Sequence, residues 1–158
     1  MKDESRSIMI RQAVGAIVMK DNQFLLAHKT KINTLTGSEK IKGEWDFIKG
    51  GIEDSDESVQ HAMLRELKEE TGCTDFLIKK QFPDQICFEF PEKMKIGYER
   101  QETTMFLVEF TGVIADLLPI DEEIAELQFF AREEVIDKLT HEDTKSFFIK
   151  NLSQLSTK

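Results

Sequence analysis

Gly51 to Cys73 reads GIEDSDESVQHAMLRELKEETGC. Its last part, RELKEETG (Arg65–Gly72), gathers the carboxylates of Glu66, Glu69 and Glu70. In a helix, like charges one turn apart cost about 0.2–0.5 kcal/mol. Acids in the last turn also oppose the negative end of the helix dipole. On a wheel of about 100° per residue with Glu66 at zero, Val59, Ala62, Met63 and Leu67 fall within roughly −40° to +100°. On the same wheel Glu70 falls near about +40° and Glu69 near about −60°. Leu64 strays outward, but Glu66 and Glu70 lie inside the apolar arc. A buried carboxylate costs several kcal/mol unless it is paired, and neighbouring ones raise each other's pKa. A divalent cation removes both costs, and oxygen ligands at this density suit Mg²⁺ or Mn²⁺. The plainer fate of an acidic helix is a solvated charge run, which the wheel argues against. Salt bridges from elsewhere stay open, for Glu66 above all, which Arg65 does not reach from its own side of the wheel.

Outward from this stretch, the helix is expected over roughly 56–71, capped by Asp54 or Ser55 and stopped at Gly72. WDFIKGG before it reads as a short strand ending in two glycines. Further upstream, QAVGAIVMKDNQFLLAHK reads as two strands around an Asp21-Asn22 turn. The polar segment from Lys29 to Glu44 reads as a long loop, of the kind that often carries function. Downstream, TDFLIKKQF and QICFEF read as strands and PEKMKIGYERQ as a loop. TTMFLVEFTG is the clearest strand. A second acidic loop, PIDEEIAE, precedes the strand LQFFA, and REEVIDKL and DTKSFFIKNLSQL read as closing helices. Interleaved strands and helices predict an α/β fold, a mixed sheet with helices on both faces.

The whole chain sets bounds. Its 158 residues suit one domain spanning 1–158, with termini fraying over about 1–7 and 154–158. The net charge of −9 repels phosphate backbones at long range and argues against broad nucleic-acid binding. A small phosphorylated substrate remains open if a cation mediates. MKDESRSIMIRQ holds no apolar run fit for a signal peptide, and no stretch approaches the length of a membrane span. Cys73 and Cys87 show no ligand spacing and read as reduced thiols of a cytoplasmic protein.

The quoted stretch resembles the Nudix box, G-x5-E-x7-R-E-U-x-E-E-x-G-U, in which U is an apolar residue. Gly51, Glu57, Arg65, Glu66, Leu67, Glu69, Glu70, Gly72 and Cys73 occupy its fixed places, Cys73 filling the last apolar one loosely. Ile48 stands where the family commonly has proline. The resemblance implies an α/β/α sandwich and hydrolysis of a nucleoside diphosphate linked to another group. It implies a loop-helix-loop holding Mg²⁺, or Mn²⁺, through Glu66, Glu69, Glu70 and the Gly50 carbonyl. It gives Glu57 and Arg65 a structural salt bridge between loop and helix. Family members take the catalytic base from the box or from a later loop. Here the later loop offers Glu123 first and Glu122 second.

Outside the box, Arg11 and the stretch FEFPEKMKIGYERQETTMFLVEF resemble the asymmetric dinucleoside tetraphosphate hydrolases and the RNA 5′-pyrophosphohydrolases. Those families usually show Gly-Gln where this chain has Arg100-Gln101. By this resemblance Arg11, Lys49, Lys93, Lys95, Arg100 and Gln101 are candidate polyphosphate contacts, with Phe88, Phe90 or Tyr98 candidates to stack on a base. The plainer reading makes the Phe residues strand core and the Lys residues a soluble loop. The expected substrate is a dinucleoside polyphosphate such as diadenosine tetraphosphate, or a related 5′-polyphosphate. The alternatives are a sanitising nucleoside triphosphate pyrophosphohydrolase and a non-catalytic nucleotide-binding regulator. Either a monomer or a homodimer is compatible with the sequence.

Overall fold

The apolar run AVGAIVM lies inside β1 (Ile10–Lys20), where Ala13 to Met19 are buried. A run buried this completely needs cover on both faces of its sheet. The computed structural model describes residues 9–34, 37–90 and 98–156. In it, β1 turns through Asp21 and Asn22, both at positive φ (52° and 64°), into β2 (Gln23–Thr34). Two positive φ values are what a tight hairpin turn requires, and Asn and Asp tolerate them.

The remaining elements follow as β3 (Gly37–Asp46), β4 (Ile48–Gly51), α1 (Val59–Thr71), β5 (Phe76–Glu89), β6 (Arg100–Phe110), β7 (Ile124–Ala131), α2 (Arg132–Lys138) and α3 (Glu142–Lys150). The sheet runs β3-β2-β1-β6-β5, with β4 paired to β1 and β7 to β2. It is mixed: β1 and β6 are parallel, whereas β4 and β7 join antiparallel. This is the mixed α/β architecture expected.

Strand side chains alternate between faces. Val14, Ala16 and Val18 meet Ala62, Met63 and Leu67 of α1 on one face. Ile17 and Met19 meet Val135, Phe147 and Phe148 of α2 and α3 on the other. Among the described residues, no helix is long and apolar enough to cross a membrane. Both cysteines are free, Cys73 buried and Cys87 exposed.

Several local expectations are corrected. The described residues of the Lys29–Glu44 segment are strand and not loop, because β2 and β3 pair from Ala27↔Asp46 out to Thr34↔Gly37. A half-buried hairpin carries polar residues along its length, so its composition imitates a loop. TDFLIKKQF and QICFEF are one strand, β5, broken only by register shifts between Ile78/Lys80 and Gln81/Gln85. The helix begins later than expected. Its cap is Ser58, whose hydroxyl accepts from the His61 N–H at 3.0 Å. Leu155 is buried in the core. Gly72 stops α1 as expected, at φ 75° with its N–H on the Lys68 carbonyl.

Candidate active site

Arg65 organises the loop before α1. Its Nε and Nη2 donate to Asp56 Oδ1 and Oδ2, both at 2.8 Å. Nη2 also reaches the Gly51 carbonyl at 2.9 Å, and Nη1 reaches Glu66 Oε2 at 2.9 Å and Glu69 Oε1 at 3.1 Å. The expected partner, Glu57, is exposed, and Asp56 takes its place. The reason is local: the Glu53 N–H donates to Asp56 Oδ2 at 2.8 Å, and this turn aims the short Asp56 side chain inward. A planar guanidinium and a fixed carboxylate then meet two bonds to two. Arg65 also reaches Glu66, contrary to the wheel, because its long side chain folds back over the helix N-terminal side.

Replacing Asp56 by Asn keeps the shape and removes the charge. The Arg65 hydrogen bonds first, and the Glu53 N–H next, hold the Asp56 carboxyl well below the usual carboxylate range. Its stabilisation is therefore present above that range and lost only as the pH falls through the lowered value. Asp56→Asn is expected to melt below wild type at neutral pH, with the gap closing in strong acid. Equal melting midpoints at neutral pH would remove Asp56 as the anchor.

Glu66 and Glu70 are both buried, at 9% and 4% exposure, whereas the Glu69 side chain is 54% exposed on Arg65. Burial first, and the hydrogen-bonded Glu66 carboxyl second, push the Glu70 carboxyl well above its ordinary range; Lys29 opposes the shift. Among the described residues, no three His, Cys, Asp or Glu side chains converge as a finished metal cage. The Glu66 carboxyl lies against Gly50, where an added Cβ would sit 1.9 Å from Glu66 Cδ. Gly50 is fixed there because β4 pairs with β1 at Val14↔Gly50. Two adjoining buried carboxylates beside an open backbone form a hard-oxygen donor set suited to a divalent cation.

Next to Gly50 opens a cavity of about 550 Å³. Arg11, Lys49, Gly50, Phe88, Gln101 and Glu123 line it together, drawn from β1, β4, β5, β6 and the loop before β7. Arg11 and Gln101 face each other across the parallel β1–β6 pair and are hydrogen-bonded. Tyr98 and Arg100 are not part of this wall, and Arg100 is paired with Glu102 at 3.3 Å. Lys93 and Lys95 lie outside the described residues.

Sequence reasoning missed Lys29, Glu44 and His141, which also line the cavity. Phe90, a stacking candidate from the aromatic-x-aromatic stretch, also lines the cavity and meets Phe88 edge-on, with ring centroids 5.4 Å apart. Glu44 and His141 had no such signal. They meet at 3.0 Å only because Trp45 of β3 is hydrogen-bonded to Thr140 before α3.

Glu123 is half-buried at the cavity edge. Its N–H donates to Asp121 Oδ1 at 2.8 Å, and its carbonyl accepts from the Thr30 N–H at 2.9 Å. Burial and the Asp121 charge push its carboxyl upward, against Lys29 and Arg11. The preceding loop is tied to the end of α1, with the Leu118 N–H on the Thr71 carbonyl at 3.0 Å and the Ile120 N–H on the Glu70 carbonyl at 3.4 Å. This strap sets Glu123 relative to Glu70. Glu122, the second choice for the base, is exposed.

A family model described as NUDIX domain matches residues 9–152. An RNA pyrophosphohydrolase of Campylobacter jejuni is 30% identical over 118 residues, covering 72% of this chain and 74% of its own. One of a Sulfurovum species is 29% identical over 141 residues, covering 83% of each. Among solved structures, a MutT protein from Methanosarcina mazei superposes with a TM-score of 0.70 at 21% identity, covering 94% of this chain and 97% of that one. A Caenorhabditis elegans Ap4A hydrolase gives 0.65 at 18% identity, covering 92% and 97%. At these identities the structural likeness concerns the fold.

Proposed function

Because the chain belongs to the Nudix hydrolase family, we propose that it is a divalent-metal-dependent pyrophosphohydrolase acting on the 5′-triphosphate end of RNA. One observation carries this reading: cationic Arg11 and Lys49, aromatic Phe88 and the carboxyl of Glu123 share a cavity that opens beside Gly50 and its Glu66 neighbour. About 550 Å³ suits a single nucleotide with its phosphates. The rest of an RNA would stay outside, where the net charge of −9 discourages further contact. The curated relatives named RNA pyrophosphohydrolase favour RNA over the dinucleoside tetraphosphate expected from the sequence. Both substrates present the same polyphosphate to the same wall.

Glu66 and Glu70, with the Gly50 carbonyl and Glu69 at the rim, would hold Mg²⁺ or Mn²⁺. When bound, that cation would neutralise phosphate charge and acidify the attacking water. Arg11 and Lys49 orient the phosphate chain, and Phe88 offers a stacking face for the first base. Glu123 accepts the proton of the water that attacks phosphorus. Its burial favours that role by making the carboxylate more basic. The phosphoanhydride bond breaks, leaving a 5′-monophosphate and pyrophosphate.

The test is a panel with Mg²⁺ and, separately, Mn²⁺: 5′-triphosphorylated RNA, diadenosine tetraphosphate, nucleoside triphosphates and ADP-ribose. RNA is expected to be preferred and to release pyrophosphate. Glu123→Gln should lower kcat about 10²-fold with little change in KM. Preferred conversion of diadenosine tetraphosphate to ATP and AMP would overturn the RNA assignment and leave the reaction class standing. No cleavage with either metal would sink the catalytic reading.

A further inference from the structure

We propose that Lys29 grips the terminal phosphates of the substrate beside Glu123; this rests on the hydrolase reading above. The pairing of β2 is irregular on both sides of this residue. Toward β7 the register shifts between His28 and Lys29, and toward β3 it shifts between Lys29 and Lys31. The extra residues lie in the partner strands, Ala125 in β7 and the stretch between Lys40 and Glu44 in β3, and such irregularities concentrate next to active sites. The following residue, Thr30, donates its N–H to the Glu123 carbonyl, so this part of β2 is fastened to the loop that carries the proposed base.

Between these two irregular pairings Lys29 is half-buried in the cavity wall with Arg11, Lys49, Gly50 and Glu123. The other two cations are already engaged. Lys49 Nζ lies 3.1 Å from Asp46 Oδ1 and donates to Thr144 Oγ1 at 2.8 Å. Arg11 donates to Gln101. Among the described residues, no ion pair or side-chain hydrogen bond occupies Lys29. Its charge is nonetheless felt at both Glu70 and Glu123. A half-buried ammonium without a partner is costly, and an anion entering the cavity relieves that cost. Lysine is a compact point charge, suited to phosphate oxygens that arrive without a fixed bidentate geometry.

The test compares wild type, Lys29→Met and Lys29→Arg in two measurements: calorimetric binding of inorganic pyrophosphate with Mg²⁺, and steady-state kinetics on 5′-triphosphorylated RNA. Losing one charge-assisted contact should weaken pyrophosphate binding about ten- to a hundredfold in Lys29→Met. KM should rise by a similar factor with kcat little changed. Lys29→Arg should regain most of the affinity, and Lys29→Met should melt no lower than wild type without ligand. If wild type binds pyrophosphate and Lys29→Met binds it equally well, Lys29 is not the phosphate grip and the hydrolase reading is untouched. If wild type neither binds pyrophosphate nor cleaves any polyphosphate, the hydrolase reading falls and takes this inference with it.

Discussion

Glu70→Gln is expected to remove turnover and, at the same time, to stabilise the metal-free protein. Turnover should fall about 10³-fold, the order that follows from losing several kcal/mol of charge stabilisation at the reacting phosphate. The gain in stability comes from the side chain's surroundings. Glu70 is 4% exposed, and burial first and the Glu66 carboxyl second push its own carboxyl well above the ordinary 4.5. For a carboxyl raised in this way, the contribution to stability is complete below the ordinary value and is lost as the pH rises through the raised one. The metal-free wild type should therefore melt progressively lower as the pH climbs from about 4 toward 8. Glu70→Gln carries no charge to bury and should lack that slope. Mg²⁺ should raise the wild-type midpoint most at the high end of the range and the variant's hardly at all. Thermal melts with chelator or Mg²⁺ at both ends of this pH range check the sign. Parallel pH slopes for the two proteins would show that Glu70 is not the strained group.

Phe148→Ala should be among the most damaging single changes outside the cavity. The ring is fully buried, edge-on to Phe24 at 5.1 Å between centroids and tilted against Phe47 at 5.7 Å. Truncating a buried phenylalanine costs about 3–5 kcal/mol. That is a large part of the roughly 5–15 kcal/mol that holds a domain folded. For a chain of this size it corresponds to a fall of roughly 6–20 °C in Tm. The consequence reaches the cavity, because α3 also carries Thr144, the hydrogen-bond acceptor for Lys49. Denaturant unfolding measures the loss directly. A change below about 1 kcal/mol would mean that the core beneath α3 closes up around the missing ring.

The two changes draw on information of different kinds. The burial of Glu66 and Glu70 was readable from the chain because a helix has one rigid period. Residues 59–71 project to known directions whatever surrounds them, so acids falling on the apolar arc announced themselves. The same rigidity made the box legible. Asp21-Asn22 and Gly72 were legible for a related reason, since positive φ restricts residue choice locally.

Where a contact depended on a side chain's reach or on strand pairing, the reading failed. Asp56 displaced Glu57 because a single N–H from Glu53 turned the shorter acid inward. The Lys29–Glu44 segment passed for a loop because a half-buried hairpin has no continuous apolar signal, and its partner strand is what makes it extended. Lys29 went unnoticed for the same reason, since its significance lies in register shifts against two other strands.

The sequence by itself determined the family fold, the acidic helix and the glycine approach to it, because spacing along one chain segment is enough for each. Only the tertiary structure decided which groups share the cavity. Arg11, Lys49, Phe88, Gln101 and Glu123 come from five separate segments, and Lys29, Glu44 and His141 join them from three more. Their meeting is set by the parallel β1–β6 pairing, by the strap between the β6–β7 loop and the end of α1, and by the tie between β3 and the start of α3. Such long-range pairings are satisfied jointly by the whole sheet and its two cores, and no local period records them.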